Sequence, residues 1–222
     1  PTCVIPNTIP KSEVDIKKKT SCFAKILGED KFSFGSPIII YTGAAFLHRQ
    51  LDIIVDAISL LEKKVTFIGF VYGDEDGIAK LVDECEKKLT NHNYKIIKSI
   101  PRDELLNCIG EADAGIVYYK PSLSIGNRYA APTKLYEYIG LGVPVISSNN
   151  PEIVKLINKF NLGVCVKDET VESLSKAISD IVFNSEKIKT IRDNEKKYFE
   201  NNLCYEVASK EAINKNVEIS KG

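Results

Sequence analysis

Short apolar segments alternate with longer amphipathic ones along most of the chain. The short segments, such as "PIIIYTG" at 37–43, are rich in β-branched residues and have the length of buried strands. The longer segments place apolar residues three or four positions apart, as in "RQLDIIVDAISLLEKK" at 49–64, which indicates a helix with one buried face. Alternation of this kind is typical of βα units around a parallel sheet.

The pattern predicts strands that are each followed by a helix. The predicted strands cover 37–43, 65–70, 94–99, 114–119, 143–148 and 162–166. The predicted helices cover 49–64, 76–90, 102–112, 132–142, 151–160 and 168–178, with a last helix at 198–215. Gly142 is suited to end its helix in the left-handed conformation. Asn149 or Asn150 is expected to cap the next helix, and Asp168 the one after that.

These elements predict an α/β fold, a doubly wound parallel sheet of the Rossmann type, at residues 36–184. Residues 1–35 begin with "PTCVIPNTIP" and are expected to be an interdomain linker leading into this domain, because prolines mark irregular segments. The chain begins with Pro1 and contains no methionine. We therefore expect it to be a fragment of a longer protein.

Composition argues against several classes of protein. The 30 basic residues balance 30 acidic ones, and no basic run is interleaved with aromatic residues, so nothing favours nucleic-acid binding. No apolar run approaches the roughly 20 residues that span a bilayer, and no signal peptide is evident, so a soluble, cytoplasmic protein is expected. Two histidines and scattered cysteines favour no metal site, and most cysteines are expected to be reduced. The cysteines are Cys3, Cys22, Cys85, Cys108, Cys165 and Cys204.

In a doubly wound sheet, ligands bind beyond the carboxyl ends of the strands, and one loop there has an unusual charge. It leads into "YAAPTKLYEYIGLGVPVISS" at 129–148, where Pro132 opens a helix whose first turn carries Lys134 and no acid. A helix N-terminus already has a partial positive charge, so the lysine requires a negative partner. That partner is either a ligand such as a phosphate, with Arg128 just upstream, or Glu137 in an i,i+3 pair worth a few tenths of a kcal/mol.

Two other side chains suit a phosphorylated, hydroxyl-bearing ligand. Glu137 is placed to accept hydrogen bonds from vicinal hydroxyls such as a ribose diol, unless it only forms the salt bridge. Arg49 follows the first strand, where "TGAAFLHR" has Gly43 but not the GxGxxG that a dinucleotide requires, so NAD binding is disfavoured. Arg49 is either a phosphate-binding side chain or a surface residue of a helix. No nucleophilic triad or pair of carboxylates is evident, so the general base is not identified.

Several segments, in this order, resemble the C-terminal half of family-4 (group 1) glycosyltransferases of the GT-B type. They are "VIPNTI", "IIIYTGAAFLHRQLDIIVDAI", "IPRDELLNCIGEADAGIVYY" and "APTKLYEYIGLGVPVISSNNPEI". The most specific part, "PTKLYEYIGLGVPVI", is similar to the family's proline, lysine, Glu-Tyr and Gly-x-Pro-Val segment. The resemblance covers nearly all of the chain. It implies that this half binds the nucleotide sugar, that an absent N-terminal domain holds most of the acceptor site, and that the helices at 185–222 pack towards that domain.

The resemblance also implies roles for individual residues. Glu137 matches the carboxylate that binds the ribose hydroxyls, and Arg49 matches the basic position that contacts the donor diphosphate. Lys134 and the N–H groups around Ala131 to Thr133 match the helix end near the diphosphate and sugar, and Ile100 matches the loop that lines the base. The implied nucleotide-sugar site comprises Gly43, Arg49, Ile100, Arg128, Tyr129, Ala131, Pro132, Thr133, Lys134 and Glu137, with no metal.

The chain departs from the family pattern at three places. Ala44 stands where the family commonly has an arginine, and Tyr129 stands where it has a first glutamate. The glycine pair that is frequent after "VI" is Asn149-Asn150 here. These differences bear on phosphate and sugar recognition, so the resemblance predicts neither the sugar nor the stereochemistry of transfer.

The sequence therefore predicts a hexosyltransferase that transfers a sugar from a UDP- or GDP-sugar to a glycan or lipid-linked acceptor in surface polysaccharide synthesis. No cofactor or metal is expected, because Arg49 and Lys134 would stabilise the leaving diphosphate. The fragment alone is expected to bind donor without turnover, and any peripheral membrane association would come through the absent half. The alternatives are a sugar-nucleotide 2-epimerase-like enzyme and a non-catalytic nucleotide-binding module.

Overall fold

The computed structural model describes residues 5–15, 22–27, 35–46, 51–98, 100–210 and 212–214. In chain order its strands are β1 Ile38–Ala44, β2 Thr66–Tyr72, β3 Asn93–Lys98, β4 Ala114–Val117, β5 Val145–Ser147 and β6 Gly163–Cys165. They form one sheet in the order β3-β2-β1-β4-β5-β6, with every neighbouring pair parallel. The predicted doubly wound parallel sheet of the Rossmann type is therefore confirmed.

Each strand is followed by a helix, as the alternating pattern predicts. The described helices are α1 Lys11–Val14, α2 Cys22–Leu27, α3 Asp52–Ser59, α4 Glu75–Lys88, α5 Arg102–Ile109, α6 Ile125–Arg128, α7 Thr133–Leu141, α8 Pro151–Phe160, α9 Val171–Val182, α10 Ser185–Tyr198 and α11 Tyr205–Ala208. A π-helical turn, Phe199–Leu203, separates the last two. No helix in these described residues is long and apolar enough to cross a membrane.

Helices cover both faces of the sheet, so the strands are apolar on both sides. Successive side chains of a strand point to opposite faces, and Ile39 accordingly packs with α3, α4 and α9 while Ile40 packs with α5, α7 and α8. Both isoleucines are fully buried. Burial on both faces explains why the strands appear in the sequence as continuous apolar runs and not as alternating ones.

The helix ends follow local chemistry, with one correction. Gly142 ends α7 in the left-handed conformation (φ 69°), as predicted. Asp168 was expected to cap α9, but the N-cap is Thr170, whose hydroxyl oxygen accepts the Ser173 N–H at 3.2 Å. Asp168 lies two residues earlier and accepts the Thr170 N–H at 3.0 Å, so it supports the capping residue and does not replace it.

The predicted helix at 198–215 is interrupted. The chain leaves the π-helical turn at Cys204, which is extended (ψ 146°). The reason is a long-range contact, because the N–H of Tyr205 donates to the carbonyl of Ile9 at 3.1 Å. The last turns therefore bind the beginning of the chain and do not continue α10.

The described parts of residues 1–35 include two short helices, α1 and α2, and pack on the sheet domain. Ile9 is buried beside Phe199 and Leu203, and α1 and α2 both contact α5. The expected linker character does not account for this packing. The boundaries at residues 35 and 184 stay predictions.

The cysteines of the described residues divide into two groups, and Cys3 lies outside those residues. Cys85, Cys165 and Cys204 are free thiols, as expected for most of them. Burial raises the pKa of Cys85, and likewise that of Cys165, to about 12, so both stay protonated at neutral pH. Cys22 and Cys108 form a disulfide that joins α2 to α5, with their Cα atoms 5.1 Å apart. This pairing was not predicted from the sequence.

Candidate functional site

The strand order reverses between β1 and β4, which opens a crevice at their carboxyl ends. The two strands pair only at Ile39–Ala114 and Ile40–Gly115, so they separate beyond these residues. Three features border the crevice: Gly43 near the end of β1, the loop after β4, and the N-terminus of α7. The crevice is therefore the candidate binding site.

The sequence of α7 fixes this helix against the sheet. Tyr138 is fully buried, and a Cβ on Gly115 of β4 would lie only 2.5 Å from its ring. The tyrosine oxygen also accepts the Thr42 N–H at 3.1 Å, a donor that β4 no longer pairs. Burial raises the pKa of Tyr138, so its hydroxyl stays neutral. These contacts direct the N-terminus of α7 into the crevice.

Lys134 is a buried cation in the crevice, with only 7% of its surface exposed. Its ammonium nitrogen lies 3.8 Å from the centroid of the Tyr41 ring and 5.7 Å from that of Tyr119. Gly43 has a φ of 134°, and a Cβ there would lie 2.8 Å from this nitrogen. Glycine at this position thus keeps the space beside the lysine open and permits a backbone conformation that other residues rarely adopt.

The N-terminus of α7 adds positive charge at the same place. Pro132 is the N-cap and no side chain caps the helix by a hydrogen bond. The first turn contains no acidic residue, so the partial charge of the helix end and the charge of Lys134 reinforce each other. The carbonyl of Ala131 just before the helix is held by the Asn7 amide at 2.8 Å. This arrangement is suited to an anion.

Glu137 lies one turn further along α7 and has its own partner. Its Oε1 accepts a hydrogen bond from Nη1 of Arg102 at 2.8 Å. The Lys134–Glu137 pair, one of the two explanations of the lysine from the sequence, is absent from the ion pairs of the described residues. Arg102 is held in turn by Glu13 of α1, whose Oε2 accepts from Nη2 at 2.6 Å and from Nε at 2.9 Å. Burial lowers the pKa of Arg102, but the hydrogen bonds to both carboxylates raise it overall.

The loop after β4 is anchored by Asn150. The Asn150 amide nitrogen donates to the carbonyls of Tyr119 at 3.1 Å and Asn127 at 2.5 Å. Its oxygen accepts the Ser148 hydroxyl at 2.5 Å. Asn150 occupies the N-cap position of α8, but its side chain makes no capping bond, which corrects the expectation from the sequence.

The remaining predicted site residues are Arg128, Tyr129, Ile100 and Arg49. Arg128 and Tyr129 are exposed at the end of the loop after β4, with the guanidinium 6.0 Å from the ring centroid. Ile100 follows β3 and packs against the core beside α5 and α7. Arg49 lies outside the described residues. The roles assigned to these residues in nucleotide-sugar binding stay predictions.

Arg102 and Asn150 were not identified as site residues from the sequence. A charged residue directly after β3 was an available signal for Arg102, because it stands at the carboxyl edge of the sheet. No signal was available for the Asn150 bridge or for Glu13. The described residues contain no cluster of three or more His, Cys, Asp or Glu side chains arranged to hold a metal ion.

A groove of about 570 Å³ lies elsewhere, beside Gly142 at the C-terminal end of α7. Its basic side chains alternate with acidic ones, so it favours no ligand of one charge. The charged lining residues are Lys11, Asp15, Arg192, Asp193, Lys196 and Glu200.

Comparison with known proteins assigns this fold to a family. The family described as "Glycosyl transferases group 1" matches residues 26–198. The chain belongs to the group 1 glycosyl transferases. Among solved structures, this glycosyl transferase is similar to WaaG, described as a glycosyltransferase involved in lipopolysaccharide biosynthesis. The TM-score is 0.70 and the identity 18%, over 95% of this chain and 55% of that chain.

Two further structures define which part of such an enzyme is present. Anabaena Alr3699/HepE, solved with UDP-glucose, matches with TM-score 0.75 and 15% identity over 97% of this chain and 57% of that chain. The C-terminal domain of the group 1 protein LpcC from Francisella tularensis matches with TM-score 0.65 and 11% identity, over 88% of this chain and 98% of that chain. The chain thus spans about half the length of WaaG and HepE, and the resemblance to a C-terminal GT-B half is confirmed. No curated protein matches the chain significantly.

Proposed function

We propose that this glycosyl transferase chain is the donor-binding half of an enzyme that transfers a hexosyl group from a UDP- or GDP-sugar. The observation that carries the proposal is the buried Lys134 ammonium beside the acid-free N-terminus of α7, in the crevice between β1 and β4. A nucleotide diphosphate is complementary in charge to both features. The UDP-glucose bound to HepE supports this class of ligand.

The proposed chemistry is electrostatic. Transfer breaks the bond between the anomeric carbon of the sugar and the β-phosphate oxygen, and negative charge develops on the leaving diphosphate. Lys134, the N–H groups of Ala131 and Thr133 and the side chain of Arg49 would stabilise this charge in a site shielded from water, where such interactions are strongest. Glu137 would accept hydrogen bonds from the ribose hydroxyls. No metal or cofactor is assigned to this half.

The acceptor and its setting are also proposals. We infer a glycan or lipid-linked acceptor in surface polysaccharide synthesis at the cytoplasmic side, a setting consistent with the role of WaaG in lipopolysaccharide biosynthesis. An N-terminal domain of the same enzyme would bind that acceptor. The chain by itself is therefore expected to bind donor without transferring the sugar.

The test is a titration of the chain with UDP, GDP, their glucose conjugates and NAD, in which binding is measured as a shift in the midpoint of thermal unfolding. A ligand at 100 times its dissociation constant adds about 2.7 kcal/mol, which raises the midpoint by several degrees. We expect a shift with UDP or GDP and none with NAD. Lys134→Met should weaken the binding by about tenfold or more, because it removes a charged contact to the diphosphate.

Lys159→Met is the matched control. Lys159 also lies over an aromatic ring, 5.0 Å from the Phe160 centroid, but it is exposed at the end of α8, away from the crevice. It should bind the nucleotide like the unmodified chain. Equal affinity in both lysine variants would contradict the proposed site, and no shift with any nucleotide would contradict the proposed function.

A further inference from the structure

One chain of ion pairs connects the first helix to the candidate site. Glu13 on α1, Arg102 at the start of α5 and Glu137 on α7 are linked through the single guanidinium of Arg102. Nη1 donates to Glu137, while Nε and Nη2 both donate to one oxygen of Glu13. The three residues come from separate parts of the chain and meet beside the N-terminal turn of α7.

The two carboxylates differ in how much they depend on Arg102. Glu137 is 6% exposed, so its charge requires a partner inside the protein. Glu13 is on the outer side, where water already solvates it in part. The pair with Glu137 therefore compensates a buried charge, and the contact with Glu13 fixes the plane of the guanidinium.

The guanidinium occupies only one oxygen of Glu137. Oε1 accepts from Arg102, and within the described residues no donor is bonded to Oε2. A carboxylate held by one oxygen keeps a fixed orientation while its second oxygen can still accept a hydrogen bond. The geometry thus leaves Glu137 oriented and partly unsatisfied at the edge of the crevice.

We propose that Arg102 is a positioning residue for the ribose of the donor. It holds the Glu137 carboxylate so that Oε2 accepts a ribose hydroxyl, and Glu13 holds Arg102. This inference rests on the proposed function, because it names the group that orients Glu137 in the same site. It makes α1, which lies outside the sheet, a contributor to donor affinity.

The test compares a nucleoside diphosphate with its 2′,3′-dideoxy analogue by titration calorimetry, using UDP or GDP according to which one binds. In the unmodified chain, loss of the ribose hydroxyls should weaken binding by about tenfold or more, as expected for hydrogen bonds to a charged group. The ratio of the two dissociation constants, dideoxy analogue over nucleoside diphosphate, should fall below about threefold in Arg102→Leu. Arg102→Lys should restore part of it, because lysine keeps the charge but lacks the planar fork.

Two further variants separate positioning from folding. Glu13→Gln changes a partly exposed side chain, leaves Glu137 paired, and should give an intermediate ratio. Glu104→Gln is the control, because Glu104 is on the same helix as Arg102 but pairs with exposed Lys25 at 3.5 Å. It should leave the ratio unchanged.

The outcomes distinguish this inference from the proposed function. A reduced ratio in Arg102→Leu with an intermediate ratio in Glu13→Gln supports the inference. Nucleotide binding with the same ratio in every variant overturns the inference and leaves the proposed function in place. If neither UDP nor GDP binds the unmodified chain, the proposed function is overturned and the inference with it.

Discussion

Lys134 and Glu137 lie one turn apart on α7, yet the charge of each side chain interacts with a different group. The ammonium lies over the Tyr41 ring, and the carboxylate pairs with Arg102 from another helix. If the two residues paired with each other, they would cancel within α7 and leave a neutral helix end. Separate compensation keeps a positive site and a hydrogen-bond acceptor side by side, which is what a phosphorylated ligand with hydroxyl groups requires.

Glu195 on α10 is a buried carboxyl group of a different kind. It is fully buried, and neither of its carboxylate oxygens has a hydrogen-bond partner within the described structure. Burial raises its pKa well above the usual value, and attraction to Arg192 offsets this only in part. The carboxyl group is therefore protonated in the folded protein at pH values where the unfolded chain has ionised it.

We expect Glu195→Gln to stabilise the protein at pH 8 more than at pH 5. Folding takes up a proton above the unfolded pKa, so the free energy of unfolding falls as pH rises towards the folded pKa. The fall amounts to about 1.4 kcal/mol per pH unit between the two pKa values, and glutamine removes it. Urea unfolding at pH 5, 6.5 and 8 measures the effect. Glu200→Gln, a change at an exposed position nearby, is the control and should leave the pH dependence unchanged. If the free energy of unfolding of Glu195→Gln varied with pH in the same way as that of the unmodified chain, Glu195 would be ionised in the folded protein.

At the scale of the elements, sequence and structure agree where the signal is local. The strands, the helices after them and the end of α7 at Gly142 follow from periodicity and from backbone preferences over a few residues. The site contacts of Arg102 and Asn150 could not be predicted in this way. Glu137 lies 35 residues from Arg102. Tyr119 and Asn127 lie 31 and 23 residues from Asn150, so only the folded sheet brings these partners together. Even the cap of α9 was misplaced, because Asp168 and Thr170 have similar capping chemistry.

Asn150 joins the loop between β4 and α7 to the start of α8, and Glu169 holds the beginning of the same loop through Ser122. Asn150→Asp keeps the size of the side chain but replaces the amide donor by an oxygen that faces the carbonyls of Tyr119 and Asn127. We expect a loss of about 1–3 kcal/mol in the free energy of unfolding, the cost of unsatisfied buried groups. Tryptic cleavage after Arg128 should be faster, because the loop loses its anchor nearest to that residue.

The neighbouring residue provides the control for this change. Asn149 is exposed, and its amide makes only a long 3.4 Å contact with the Lys167 carbonyl. Asn149→Asp should keep both the stability and the cleavage rate of the unmodified chain. Equal cleavage rates in the two variants would mean that the loop is held by other contacts.

At the scale of the whole molecule, the two ends of the described chain meet on the same face of the sheet. The N–H of Lys11 donates to Glu206, and the N–H of Tyr205 donates to Ile9. Gly140 of α7 has no side chain, and a Cβ there would lie 3.0 Å from the Phe199 ring and 3.2 Å from Ile9. Both ends therefore pack directly on the backbone of α7, the helix that forms the candidate site.

This packing predicts that the beginning of the chain is part of the folded domain and not a detachable linker. Ile9 is 2% exposed, and Ile9→Ala should lower the free energy of unfolding by about 2–4 kcal/mol, because it leaves a cavity against α7. Ile5→Ala makes the same chemical change at a position that is 42% exposed and should cost less than about 0.5 kcal/mol. Urea unfolding of the two variants decides the question. Equally small losses would mean that the segment contributes nothing to the fold. A large loss confined to Ile9→Ala would extend the stable unit back to the first described residues, and donor binding would then depend on them through α7.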